Sequence, residues 1–279
     1  MSFHTTVRCQ THHRTLIDAP ALFRVDLPSA KSRPHHRGRR LTGMAIALLI
    51  RHGRTSANAT GILAGHTEGV DLDDRGREQA AELAQRLIRV PLAAVVTSPL
   101  LRTVSTAQAL IAPRDSAPPL HLDERVIEAH YGDWTGRALK ELAKEPLWKV
   151  VQGQPSAVTF PGSGGEAMVA MAARAVGAVR GWDAQLEAEG GPDTVFAVIS
   201  HSDVIKAITA DALGMHLDTF QRLSCDPCSV TVIRYTSVRP FVLRVNDVGG
   251  SVDSLLPPPP SKRRSRRSTD AVVGGGAGS

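Results

Sequence analysis

The sequence predicts a three-layer α/β/α sandwich with a mostly parallel central sheet. Three observations carry that expectation. Apolar runs of strand length recur along the chain, helix-length segments with one apolar face lie between them, and polar chemistry collects where the runs end. The first run, Ile46–Ile50, stops at Arg51-His52-Gly53, with Thr55 and Asn58 a few residues on. Asp73 or Asp74 caps a helix reaching about Val90, whose buried stripe is Ala80, Leu83, Ala84, Leu87 and Ile88. Pro91–Ser98 reads as a second buried strand, with Ser98 as N-cap and Pro99 as the first residue of the next helix. Leu122–Gly136 is loop-like and rich in carboxylates. Ala138–Val151 and Glu166–Ala188 read as helices, the second opened by a capping box from Ser163 to Glu166. Val195–Ser200 is a third strand, ending in His201-Ser202-Asp203 ahead of an apolar helix. Ser229–Tyr235 and Pro240–Val245 read as strands at the far edge of the sheet.

Charge separates a body from two ends. Residues 1–43 carry a net charge of +6 and residues 248–279 a net +3, whereas 44–247 carry −3. The basic balance of the 279-residue chain therefore belongs to its ends, and nucleic-acid binding is not expected of the body. Residues 248–279, with Pro257–Pro260, a Lys/Arg/Ser run and a Gly/Ala-rich finish, are expected to be a disordered tail. Residues 1–43 hold five histidines and no periodicity, and are expected to be a disordered basic extension, with translation beginning instead at Met44. No apolar stretch is long enough for a signal peptide or membrane span, and three cysteines suggest a reducing compartment, so a cytoplasmic location is expected. Cys225-Asp-Pro-Cys228 has redox or zinc-knuckle spacing but no second pair, so incidental packing is expected. Trp134, Trp148 and Trp182 read as core or rim residues, and His66, His121 and His216 lack a supporting constellation.

Three strands ending in Arg51-His52, Ser98-Pro-Leu-Leu-Arg102 and Ser200-His201 would converge on one sheet edge, where open α/β sheets place their ligand crevices. Guanidinium groups beside an imidazole suit a phosphate ester. Arg51 and Arg102 can grip phosphate oxygens, and their charge keeps His52 neutral and able to attack phosphorus. Phosphoryl transfer needs positioning and electrostatic stabilisation above all. The same two arginines would repel a divalent cation, His-Glu-x-x-His spacing is absent, and no Walker or Gly-x-Gly-x-x-Gly loop occurs. No metal is expected.

Five elements in order resemble the histidine phosphatase superfamily, the phosphoglycerate mutase-like family, over about residues 44–247. They are Leu49-Ile-Arg-His-Gly-Arg-Thr-Ser-Ala-Asn58, Leu72-Asp-Asp-Arg-Gly-Arg-Glu-Gln-Ala80, Thr97-Ser-Pro-Leu-Leu-Arg102, Glu128-Ala-His-Tyr-Gly-Asp-Trp-Thr-Gly136 and Val198-Ile-Ser-His-Ser202. The resemblance implies a phosphoglycerate mutase-like fold with His52 as nucleophile and Glu128 as proton donor and acceptor. Arg51, Arg102, Asn58 and His201 would hold the phosphate, with Thr55 among the binding groups. His130 stands where some members have an Asp that shares the proton-donor role. The expected function is hydrolysis of a small phosphorylated metabolite. The alternative is a phosphomutase, with 2,3-bisphosphoglycerate as cofactor only in that case; a silent phosphate-binding protein is a third reading. The interval Ala138–Pro161 is short for a mutase, which favours hydrolysis, and the oligomeric state is left open.

Overall fold

A computed structural model describes residues 43–250 and 273–277. The expected extension 1–43 lies outside the described residues apart from Gly43, and so does most of the expected tail.

Among the described residues, six strands form one sheet in the order β3-β2-β4-β1-β5-β6. They are β1 (Gly43–Arg51), β2 (Leu92–Thr97), β3 (Leu120–Leu122), β4 (Val195–Ser200), β5 (Val230–Thr236) and β6 (Phe241–Asp247). β1, β2, β3 and β4 pair in parallel, while β5 and β6 close one side antiparallel. The sheet is thus mostly parallel, as the alternating pattern demands.

Alternation along the strands sorts side chains to two faces. Ala47, Leu49, Val96 and Val198 face α6 (Met168–Gly190) and α7 (Ser202–Ala212). Leu48, Ile50, Val95 and Ile199 face α2 (Asp74–Leu87) and α3 (Leu101–Ile111). Burial on both faces explains why these strands are continuously apolar. The remaining α-helices among the described residues are short: α1 (Ser56–Thr60), α4 (Leu139–Leu142) and α5 (Pro146–Gly153).

Local chemistry departs from expectation at several points. Asp73 does cap α2, its carboxylate accepting from Gly76 N, and the helix stops at Leu87. Ser98 does not cap α3; Leu100 holds that position without a side-chain bond, and the Ser98 hydroxyl is used by His201 instead. Ala138–Val151 is not one helix but the pair α4 and α5, broken where Pro146 starts a new one. The Ser163 box is likewise absent. α6 begins after Ala167, and Glu166 turns to the Arg174 guanidinium, 2.7 Å away. The three-residue β3 carried too little pattern to be anticipated.

One stretch of the expected tail is ordered against the body. Val273 is buried in the core on the α6/α7 side of the sheet, and Gly274 N donates to Asp203 Oδ2 at 3.0 Å. A composition of glycine and alanine gave no sign of that contact.

Candidate active site

β1, β2 and β4 end side by side, because Arg51 pairs in register with Ser200 and Thr97 with Ile199. Arg51, His52, Arg102, Glu128 and His201 converge there, each 3% exposed or less. The loop after His52 is held from two sides. Gly53 N donates to Thr106 Oγ1 on α3, and a Cβ on Gly53 would come within 2.6 Å of the Gly76 carbonyl oxygen on α2. Glycine is needed here for close approach of two backbones.

His52 Nδ1 lies 2.7 Å from the Gly53 carbonyl oxygen. A carbonyl can only accept, so Nδ1 carries the proton and Nε2 keeps a free lone pair. Burial, then the charges of Arg102 and Arg51, hold the His52 pKa well below the usual imidazole value. Its ring is neutral at physiological pH, the state an attacking imidazole requires.

The two guanidinium groups are anchored by backbone carbonyls. Arg51 Nη1 donates to Cys225 O at 2.8 Å, and Arg102 Nη2 donates to Gly65 O at 2.8 Å. Arg51 Nε, Arg102 Nε and Arg102 Nη1 are buried and have no protein partner. Unpaired buried N–H groups are costly, and the oxygens of an anion would satisfy them.

His201 bonds Ser98 Oγ through Nε2 at 2.8 Å and stands 3.4 Å from Arg102 Nη2 through Nδ1. Both ring nitrogens therefore have a protein neighbour, and His201 lies directly beside Arg102. Its ring centre is 5.3 Å from that of His52. Burial, then Arg102, lowers its pKa well below the usual value.

Glu128 Oε1 accepts from Ala129 N at 3.0 Å, and Oε2 lies 4.0 Å from His201 Nδ1. Burial, reinforced by the charge of Asp203 and opposed by Arg102 and Arg51, raises its pKa to about 7. A carboxyl at that value can both give and take a proton near neutrality. Thr55 and Asn58 also line the cavity, but their side chains form the capping box of α1. Thr55 Oγ1 donates to Asn58 Oδ1 at 2.9 Å, so the Thr55 hydroxyl is committed and the Asn58 NH2 is the donor left for a ligand.

Several contributors escaped the sequence reading. The Cys225–Cys228 loop is not incidental packing alone, since its backbone receives Arg51 through Cys225 O and donates Cys228 N to Arg51 O. Backbone groups carry no residue signature, so only the proximity of the loop could reveal this. Arg174 donates to the carbonyls of Ile127 and Glu128, holding the segment that carries the Glu128 carboxyl. His66 gains the constellation it lacked. Its Nε2 bonds Glu128 O at 2.8 Å, and its ring lies against His130 with centres 3.9 Å apart and planes tilted by 39°. Trp134 and Trp148 are core residues, as expected.

A neutral imidazole with a free nitrogen, two buried guanidinium groups with unmatched donors and a carboxylic acid raised to about 7 are together chemically suited to phosphoryl transfer. The chain belongs to the histidine phosphatase superfamily (branch 1), whose model matches residues 47–248. It is 30% identical over 206 residues to phosphoserine phosphatase 1 of Hydrogenobacter thermophilus, covering 73% of this chain and 92% of that protein. It is 33% identical over 175 residues to glucosyl-3-phosphoglycerate phosphatase of Mycolicibacterium vanbaalenii, covering 62% and 76% respectively. Among solved structures, YhfR of Bacillus stearothermophilus superposes with a TM-score of 0.65 at 27% identity, over 74% of this chain and 98% of that one. The protein is an enzyme of the phosphomonoester-hydrolase type, with the α/β fold of the phosphoglycerate mutase-like family.

Proposed function

We propose that this enzyme hydrolyses the phosphomonoester of a small metabolite through a phosphohistidine on His52, without a metal. The observation that carries the reading is the neutral His52 ring with its free Nε2 beside unmatched N–H donors of Arg51 and Arg102. Arg51, Arg102 and the Asn58 amide hold the phosphate, and His201 keeps Arg102 in place. His52 Nε2 attacks phosphorus, the ester P–O bond breaks, and Glu128 gives its proton to the leaving oxygen. Water then attacks the phosphohistidine, Glu128 takes the water's proton, the N–P bond breaks and inorganic phosphate leaves. The guanidinium groups neutralise charge on the transferring phosphoryl group, the task a metal performs elsewhere.

Hydrolysis is favoured over phosphomutation because the segment between the Glu128 loop and α6 is short, holding α4, α5 and one 3-10 turn at Pro155–Ala157, little chain to close over a substrate whose phosphoryl group is transferred twice. Two relatives are named for phosphoserine and glucosyl-3-phosphoglycerate, which makes small anionic phosphate esters the first substrates to try. No described helix is long and apolar enough to cross a membrane, and Cys225 and Cys228 are free thiols; a cytoplasmic location fits both facts. The test is a panel of phosphorylated metabolites assayed for phosphate release, with 3-phosphoglycerate also followed for isomerisation. Phosphate release without isomerised product is expected. Isomerisation dependent on 2,3-bisphosphoglycerate would replace the hydrolase reading with the mutase one.

A further inference from the structure

The glycine run near the end of the chain lies inside the site just described. Gly276 O accepts a hydrogen bond from Arg51 Nη2 at 2.7 Å, so a peptide oxygen meets the guanidinium read above as a phosphate clamp. Val273, Gly274 and Gly275 line the same cavity as His52, Arg102 and Glu128, and only about 10 Å³ of it stays open. That is the space of one water molecule and too little for a phosphate group.

The segment is anchored and shaped for this position. Val273, 1% exposed, fixes its start in the core, and Gly274 N donates to Asp203 Oδ2. A Cβ on Gly275 would stand 2.5 Å from Ser202 Cβ and 2.8 Å from Arg51 Cζ, and φ is +75° there, so a side chain would be excluded twice over. Gly275 is therefore more than flexible filler, because a residue with a side chain does not fit between Ser202 and Arg51 at that position. On its other side Gly275 borders a cavity of about 440 Å³ lined by Lys206, Gln221 and Ser224. Gly275 borders both spaces, so withdrawing the segment would open each towards the other.

We propose that Val273–Gly276 is an intramolecular plug, which occupies the substrate face of Arg51 and closes the phosphate cavity until substrate displaces it. The proposal rests on the reading of Arg51 as a phosphate clamp. Plug and phosphate compete for one guanidinium, so the apparent affinity is the intrinsic affinity multiplied by the fraction of molecules with the segment withdrawn.

The test compares the full chain with two variants, one ending at residue 272 and one carrying Gly275→Val in the full chain, which keeps Val273 in the core. Binding of orthovanadate and KM for p-nitrophenyl phosphate are measured for each. Both variants should bind vanadate about fivefold tighter or more and show a correspondingly lower KM, with kcat maintained. A synthetic peptide of residues 270–279 should inhibit the shortened enzyme competitively, and the same peptide with Gly275→Val should not. Unchanged or weaker vanadate binding, or a fall in kcat on withdrawal, would overturn the plug and make the segment inert or a working part of the site. Arg51→Lys in the shortened enzyme separates the two readings: if its vanadate affinity equals that of the shortened parent, the clamp reading itself has failed.

Discussion

His52 Nδ1 and the Gly53 carbonyl oxygen, 2.7 Å apart, fix which nitrogen of the ring can react. Because the acceptor belongs to the next residue, the tautomer is set by the backbone turn itself and needs no carboxylate partner. The transferred phosphoryl group should therefore reside on Nε2. Brief incubation with a labelled phosphoester should yield an acid-labile, base-stable label on the protein, and phosphorus–nitrogen NMR couplings should assign it to Nε2. In His52→Ala the label should vanish along with turnover. Label and activity persisting together in that variant would exclude His52 as nucleophile.

Glu128 gives the pH dependence its direction. Its carboxyl, raised to about 7 chiefly by burial, is protonated below that value and ionised above it. An acid needed in the protonated form makes kcat/KM for an alkyl phosphate fall as pH rises through about 7. His52, held well below the usual value, loses its lone pair only on the far acidic side. p-Nitrophenyl phosphate, whose phenolate departs without a proton, should lack the alkaline limb. Glu128→Gln should lower alkyl phosphate turnover by about 10²–10⁴-fold and p-nitrophenyl phosphate turnover far less. Equal losses on both substrates would show that Glu128 is not the acid.

Arg102 offers two unmatched donor nitrogens, Nε and Nη1, where Arg51 offers Nε alone. A trigonal-bipyramidal vanadate presents the oxygens those donors lack, so vanadate should inhibit competitively. Arg102→Ala should weaken that inhibition at least about tenfold, the scale of one lost charge-assisted hydrogen bond of 1.5–3 kcal/mol, roughly. The same guanidinium groups disfavour a divalent ion, so activity should survive EDTA. Loss on chelation, restored by a divalent metal, would reject the metal-free mechanism.

What could be read from the sequence depended on how local the signal was. His52, Arg102 and His201 each stand within a few residues of a strand end, and strand ends are visible as the close of an apolar run. The direction of β5 and β6 was not visible, because period-two patterning is the same for either sense of pairing. Ser98 illustrates a second limit. A serine before proline is a good helix start, yet its hydroxyl serves His201 from 103 residues away, and tertiary contact outweighs the local preference. Carbonyls of Gly65, Cys225 and Gly276 orient both arginines, and a carbonyl is available at every position in the chain. The Gly274–Gly276 run was invisible for a related reason, since low complexity can mean either an unstructured end or a slot without room for side chains.

Asp183 gives a prediction about stability. It lies on α6, 1% exposed, with Oδ1 unpaired while Ala45 N bonds its carboxyl. Burial, reinforced by Glu187, raises its pKa from 3.8 to about 7. Between those values the folded state holds a proton that the unfolded state has released, so stability falls as pH rises from about 4 to about 7 and stays reduced above. Asp183→Asn keeps the shape and removes the ionisation. At pH 8 it should stabilise the fold by about 1–3 kcal/mol, the cost of a poorly matched buried polar group. Each kcal/mol corresponds to roughly 2–4 °C in Tm for a domain of this size. At pH 4, where both forms are neutral, parent and variant should melt together. Thermal denaturation of the two proteins across that range decides the matter: a variant with no advantage over the parent at pH 8 would mean that the Asp183 carboxylate is better solvated than its burial implies.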